Sequence, residues 1–380
     1  MDDPTLSVPV LTGLGRVHLL QADCRAIEEL TAEDRRVLDQ VTAPALALQL
    51  HGQLGTFAVF RGAHAEAQRH YAHVLALFDP KIHGSIMFTA GMDPSVNTLC
   101  FTAFSNCHTG YLDQARRQIE QGLARAEAIA HPFSLVLALS LARFVLNFHG
   151  EFVRARQLME RCFVLATEHG FPLYALMSVL GDGSISVQRG EAEVGIPKLR
   201  EGLIRHRATG AQLFLPYYLS FLAEAYQRLA RPDEGLQVIA EALGLMETNW
   251  DRHWEAELYR LKGELILQST VHSPQSAVKK SPRSKVQSPK SKGPDTQYPT
   301  PNTQVEAAAE ACFLRAIEIA RRQEAKLLEL RTMLSLSRLW RRQGKRDAAR
   351  RQLTEIYGWF TEGFETPDLQ AAQALLAELR

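Results

Sequence analysis

Small and apolar residues recur at positions i, i+4 and i+7 in seven places along this chain. They are Ala67/Tyr71/Val74, Ala115/Ile119/Gly122, Ala155/Met159/Cys162, Gly195/Leu199/Gly202, Gly235/Ile239/Ala242, Ala309/Phe313/Ala316 and Ala349/Leu353/Ile356. On an α-helix these positions share one face, so each triplet predicts a contact stripe, and its small leading residue lets a neighbouring helix come close. From Ala115 to Gly235 the stripes return every 40 residues; the next step is 74, and the last is 40 again. A fixed period of this length predicts a solenoid. Gly62, Gly110, Gly150, Gly190 and Gly344 each stand five residues before a stripe, where an earlier helix must stop and glycine accepts the left-handed turn. Each unit therefore reads as helix, turn, helix. One pair cannot bury its apolar face alone, so stability must come from stacking the pairs into an array with a concave side.

Departures from the period mark out the organisation. The 74-residue step contains residues 269–302, STVHSPQSAVKKSPRSKVQSPKSKGPDTQYPTPN. With almost no apolar side chains this segment predicts disorder, in a turn between a helix around Trp254–Leu267 and one starting near Val305. It reads as an insertion, either inert or a basic, phosphorylatable tether. The 48-residue step from Ala67 to Ala115 carries a longer connection between Asp79-Pro80 and Asp93-Pro94. His83, Phe88 and Met92 in it form a lip over the concave face or merely pack a longer link. At the C-terminal end, Thr366-Pro367-Asp368 predicts an N-cap, a first-turn proline and an acid. A capping helix with Leu369, Ala372, Leu376 and Leu379 on one face follows. Cys24–Val41 reads as one helix, whereas Met1–Leu20 shows no firm periodicity. The expected division is residues 1–44 as a partly helical N-terminal segment, 45–268 as helical repeats, 269–302 as the insertion, 303–365 as repeats and 366–380 as the cap.

Composition changes this picture little. Of 380 residues 46% are hydrophobic and 22% charged, enough for a long continuous core. The net charge is +1, yet residues 315–351 hold twelve Lys/Arg against four Asp/Glu, so the C-terminal third is basic and the remainder acidic. Cys24, Cys100, Cys107, Cys162 and Cys312 lack CxxC spacing and read as reduced thiols. An acidic start, Met1-Asp2-Asp3, and the lack of a membrane-length apolar run point to a cytoplasmic protein.

Candidate chemistry is sparse, and no cofactor or metal site is expected. No GxxxxGK(S/T) occurs, so a phosphate-cradling P-loop is missing. His64, His70 and His73 lie near one another on a predicted second helix, without the further ligands of a metal site, and read as an exposed face. Gly181-Asp182-Gly183-Ser184 looks superficially like a phosphate loop and reads as a turn between units. Arg338, Arg341, Arg342, Lys345, Arg346, Arg350 and Arg351 suit nucleic-acid phosphates, an acidic protein partner or, given their spacing opposite Leu334, Leu339, Leu353 and Ile356, a plain solvated face.

The pairing of small crossing residues with a large apolar residue four positions on resembles the tetratricopeptide family, in a long-repeat form of 40 residues. The stretches His131-Pro132-Phe133-Ser134-Leu135, Gly170-Phe171-Pro172-Leu173, Arg207-Ala208-Thr209-Gly210-Ala211, Glu255–Leu265 (EAELYRLKGEL) and Tyr357–Phe364 (YGWFTEGF) are more specific. They resemble the helical tail of bacterial proteins that join a class III adenylate/guanylate cyclase domain, a P-loop ATPase and a tetratricopeptide array, over roughly residues 45–380. The resemblance implies an all-α, right-handed superhelical solenoid of antiparallel helix pairs with a C-terminal capping helix. With no P-loop and under 50 residues ahead of the first clear repeat, it implies a non-catalytic chain. The function expected is a scaffold or sensor in bacterial signalling that binds a partner protein, a peptide or a small signalling ligand. Alternatively, the chain is a detached regulatory part acting in trans on a cyclase or P-loop ATPase. In tetratricopeptide arrays the first helix of each pair lines the concave side. That places Phe214, Tyr217, Tyr218 and Glu224, then Trp254, Glu257 and Arg260, as groove residues. Aromatic and Arg side chains are the usual hot-spot types, although Tyr217 and Tyr218 cannot both face the groove.

Overall fold

The computed structural model describes residues 3–269 and 301–380. Helices α1 (Pro4–Gln21) and α2 (Cys24–Leu38) precede seven helix pairs. The first two pairs are α3 (Pro44–Arg61) with α4 (His64–Leu77) and α7 (Pro94–Thr109) with α8 (Leu112–Ile129), and the short helices α5 (Pro80–His83) and α6 (Ile86–Ala90) lie between them. Then follow α9 (Pro132–Phe148) with α10 (Phe152–Glu168), α11 (Pro172–Gln188) with α12 (Ala192–Ala208), and α13 (Leu215–Arg228) with α14 (Pro232–Leu245). The last pairs are α15 (Glu255–Ser269) with α16 (Pro301–Arg322) and α17 (Lys326–Arg342) with α18 (Arg346–Tyr357), and α19 (Pro367–Glu378) ends the array. No strand forms among the described residues, apart from one isolated bridge between Asp23 and Asn249. The insertion read from the sequence lies, between 270 and 300, outside the described residues.

Local chemistry starts and stops these helices where the period requires. Proline opens α3, α7, α9, α11, α14 and α19, where its missing N–H costs nothing and its fixed φ is already helical. Asp93 caps α7 by accepting from Val96 N at 3.0 Å. Gly62 closes α3 at φ +80, a conformation that a side chain disfavours.

All seven stripes fall on the second helix of a pair, and each faces inward: Ala155, Met159 and Cys162, for example, are 0–2% exposed. The first helices form the inner layer and are buried far more completely. Every residue of α7 except Leu99 is buried, as is α9 from Ser134 to Phe148; α9 is a core helix apolar nearly all round, whereas α7 buries polar Ser, Thr and Asn side chains as well.

The array also closes on itself. Gln212 and Leu213 donate to the Leu20 carbonyl at 2.8 and 3.1 Å, and Trp250 donates to the Ala22 carbonyl at 3.0 Å. The Trp250 indole reaches Phe57 O at 2.8 Å, while the Arg252 and His253 amides donate to Phe60 O at 2.7 and 3.0 Å. From the other end, Gln114 N donates to Glu362 Oε1 at 3.0 Å, and the rings of Phe360 and Trp359 stand against Gly110. The first helices of the later pairs, α13, α15 and α17, therefore fill the axis of a tight turn instead of lining an open groove.

Three readings need correction. Residues 4–21 are helical although no periodicity announced it: Leu6, Val10, Leu14 and Val17 are exposed on one side and Val8 and Leu19 are buried on the other, so apolar residues occupy both faces. Gly181–Ser184 is not a turn but the middle of α11, where glycine is required because a Cβ at 181 would lie 2.8 Å from Arg143 Cδ. In α19 the buried residue of the third turn is Leu375, with Leu376 half-buried.

Candidate functional site

The seven residues read as a partner groove lie together inside the packed interior, Phe214 among them at 4% exposed. Tyr217, Tyr218, Trp254 and Glu257 are 0–3% exposed, and Glu224 and Arg260 are half-buried. Trp254 donates to Ser220 Oγ at 2.9 Å. Burial alone would raise the Glu257 carboxyl, but the guanidinia of Arg260 at 2.7 Å and Arg331 at 3.0 Å outweigh it and hold it below its ordinary value. Arg331 in turn faces Asp368 at the start of α19, at 3.8 Å. These side chains tie α15, α17 and the capping helix together, and their hydrogen-bonding capacity is used within the chain. The expectation that at least one tyrosine is packed understates the case, since both are.

A cleft of about 400 Å³ opens near the N-terminal end. Helices α1, α3, α7, α9 and α11 wall it, with Phe57, Phe60, Phe101, Phe133, Leu137 and Met177 prominent. Its size falls in the range of small-ligand sites, roughly 300–1,000 Å³. Met92 from the longer connection reaches this wall. Phe88 does not, being 76% exposed with its edge towards His131, and His83 is buried.

One charged side chain, Arg16 of α1, stands among the lining residues. Its Nε reaches Thr12 O at 3.4 Å and a Cβ at Gly91 would lie 2.9 Å from Nη1. Burial holds it below its ordinary value, opposed by the field of the Tyr174 phenol. Among the described residues no carboxylate pairs with it. One turn past the lining residue Ser140, Arg143 is fully buried, bonded to the Tyr217 and Tyr218 hydroxyls at 3.3 and 3.2 Å and stacked 3.8 Å from the Phe144 ring. It too has no carboxylate partner among the described residues. Neither arginine was singled out from sequence, because an uncompensated charge is a property of three-dimensional neighbours.

The histidines sort differently from the reading of an exposed face. His64 is buried, bonded through Nδ1 to Ser105 Oγ at 3.1 Å and stacked on His108 with centroids 4.9 Å apart. Burial pushes it down to about 3. His70 is half-buried, with its Nδ1 2.9 Å from that of His51; His73 is exposed and stacks on His51. No group of three or more His, Cys, Asp or Glu among the described residues is arranged to hold a metal. In the basic stretch, Lys345 pairs with Glu310 at 3.5 Å and Arg341 with Glu378, while Arg346 caps the carbonyls of Glu378 and Leu379.

Comparison with known proteins fixes the fold and little more. No family model matches the chain. An uncharacterized protein of Rhizobium meliloti (strain 1021) is 26% identical over 244 residues, which are 64% of this chain and 24% of that protein. The chain thus spans about a quarter of the length of this curated relative. Among solved structures, a Rap protein complexed with competence and sporulation factor superposes with a TM-score of 0.56 at 10% identity, covering 93% of this chain and 81% of that one. The fold is a tetratricopeptide-like solenoid. Yeast Tom70 covers 93% of this chain and 59% of its own at 12% identity, with a TM-score of 0.41. No helix of the described residues is long and apolar enough to cross a membrane.

Proposed function

We propose that this solenoid is a non-catalytic interaction and sensor module that engages a partner protein in bacterial signalling. The observation that carries this reading is the outer face of α1. Leu6, Val10, Leu14 and Val17 follow one another at helical spacing and are 67%, 45%, 44% and 52% exposed, an apolar stripe at the end of the array. The opposite end behaves otherwise: α19 buries Leu369, Ala372 and Leu375 and turns polar side chains outward. Since the first helices α13, α15 and α17 fill the axis where a groove was expected, a protein partner meets this stripe. Exposed contiguous apolar surface is the usual mark of such contacts. The test is affinity capture from native lysate at low and high salt, with wild-type chain and a Val10→Lys/Leu14→Lys variant. One dominant protein retained at high salt by the wild type and lost by the variant supports the reading. Recovery of nucleic acid alone, or of a salt-labile mixture, overturns it and turns attention to the basic face at 338–351.

A second reading, that the chain is the regulatory part of a longer cyclase or ATPase signalling protein, is favoured by the relative's length, four times the matched portion. The stripe would then receive a neighbouring domain. Recovery of a cyclase or P-loop ATPase in the same capture selects it.

A further inference from the structure

We propose that the N-terminal cleft binds a small amphipathic carboxylic acid, of the medium-chain fatty acid class, with its carboxylate on Arg16 and its hydrocarbon body in the cavity. Charge selects the head group. The wall holds a half-buried guanidinium and no acidic side chain; the buried carboxylates behind it are engaged elsewhere, Asp93 with Arg125 at 3.3 Å and Asp34 with Gln53 at 2.8 Å. A site with one accessible, uncompensated guanidinium is neutralised by a monoanion, whereas a dianionic phosphate would leave charge unpaired in an apolar cavity. Guanidinium also presents the planar fork that matches a carboxylate.

The polar capacity of the wall selects the body. Gln53 donates to Leu11 O and Asp34 Oδ2, Gln49 to Ala45 O, Thr12 to Pro9 O, and Thr56 to Gly52 O. These groups are already engaged within the protein. Among the described residues of the wall, Asn97, Ser140 and the Tyr174 hydroxyl keep polar atoms without a hydrogen bond inside the protein, too few for the N–H and C=O groups that a peptide laid in the cleft would strip of water, at a cost for each left over. A hydrocarbon chain makes no such demand, and Phe57, Leu137, Leu141 and Met177 offer it apolar surface. The occupant that fits is one anionic head on an apolar body.

The deciding experiment is calorimetric titration of the full chain with decanoate, 1-decanol and the shorter acid octanoate, repeated on Arg16→Gln and Arg16→Lys. Expected are saturable binding of decanoate, much weaker binding of decanol, and a gain of about fourfold in affinity per added methylene. Arg16→Gln should weaken decanoate binding about tenfold to a hundredfold, and Arg16→Lys should restore part of it. Comparing acid with alcohol on the wild-type chain keeps the test independent of how the variants fold. Equal affinity for acid and alcohol, undiminished binding by Arg16→Gln, or no binding by a chain of unchanged helicity would each overturn the proposal. Displacement of decanoate by a short apolar peptide at lower concentration would do so as well. Cleft binding and partner capture fail separately, since a chain that binds decanoate but captures no protein loses only the scaffold reading.

Discussion

At the scale of single residues, the interior holds ionisable groups where water cannot reach them, and each sets a pH dependence. Asp34 of α2 is fully buried, and burial raises its carboxyl to about 6, with the bond from Gln53 opposing and the charge of Glu33 adding. The unfolded chain ionises this group from about 3.8 upward while the folded chain does not until about 6. Stability therefore falls as pH rises through that window and stays reduced above it. Asp34→Asn should gain about 3 kcal/mol at pH 7 and nothing near pH 3.5, read as urea midpoints; equal effects at both would mean that the carboxyl is not perturbed. Histidines act in the opposite direction. Burial lowers His64 to about 3 and His51 to about 4, so the unfolded chain takes up protons below about 6.5 that the folded chain refuses. Their contribution is intact above 6.5 and is lost as pH falls towards 3. His64→Gln should flatten the fall in melting temperature between pH 6 and 4; an unchanged slope would assign the acid sensitivity elsewhere. Arg16, Arg143 and Asp34 were not legible beforehand for a common reason. Sequence names the group that can be charged, whereas the missing counter-charge belongs to helices that are distant along the chain.

At the scale of the helix, the repeat was legible because one stripe of small residues carries both the period and the packing. Gly263 in α15 shows how tight that packing is, since a Cβ there would meet the Phe313 ring at 2.5 Å. Alanine is the better helix former by about 0.8–1.0 kcal/mol, yet Gly263→Ala should destabilise by about 1–3 kcal/mol through overpacking. A stabilised variant in chemical denaturation would show that the ring moves freely. The partner-groove assignment went astray on the same helices. Aromatic and charged residues on a first helix look alike whether they meet a ligand or a neighbouring helix, and only the closure of the array decides. Here Glu257 bridges Arg260 and Arg331 deep inside. Glu257→Gln should cost on the order of 3 kcal/mol by leaving the guanidinia of Arg260 and Arg331 only their longer 3.8 Å carboxylate contacts, to Glu264 and Asp368. The capping helix should loosen with it, because Arg331 also faces Asp368; hydrogen exchange confined to α15 would deny that link. Helix α1 escaped notice because it is apolar on two faces, one for the core and one for the exposed stripe, and a two-sided pattern has no period to detect.

At the scale of the whole molecule, closure changes what kind of solenoid this is. In an open array each repeat touches its neighbours alone, and unfolding spreads from one unit to the next. Here the segments after α12 and α14 bond back to Leu20, Ala22, Phe57 and Phe60, and the segment before α19 packs on the start of α8 through Asp113 and Gln114. Residues nearly 200 positions apart are thereby made to stand or fall together. Trp250 is the centre of the first set of contacts, 4% exposed, with its amide on Ala22 and its indole on Phe57. Trp250→Ala removes a large buried ring and leaves the Phe57 carbonyl without its indole donor, a loss of about 3–5 kcal/mol. The decisive observable is where protection is lost. If closure couples the array, amide exchange should accelerate together in α1, α3, α13 and α15, and the variant should still unfold in one transition. Acceleration restricted to residues around 250, with α1 and α3 unchanged, would mean that the contacts are incidental and that the repeats unfold as an open stack. The cleft lies against the same seam, between α1 and the first helices, so a coupled result also implies that an occupant bound at Arg16 raises the stability of α13 and α15, which it does not touch.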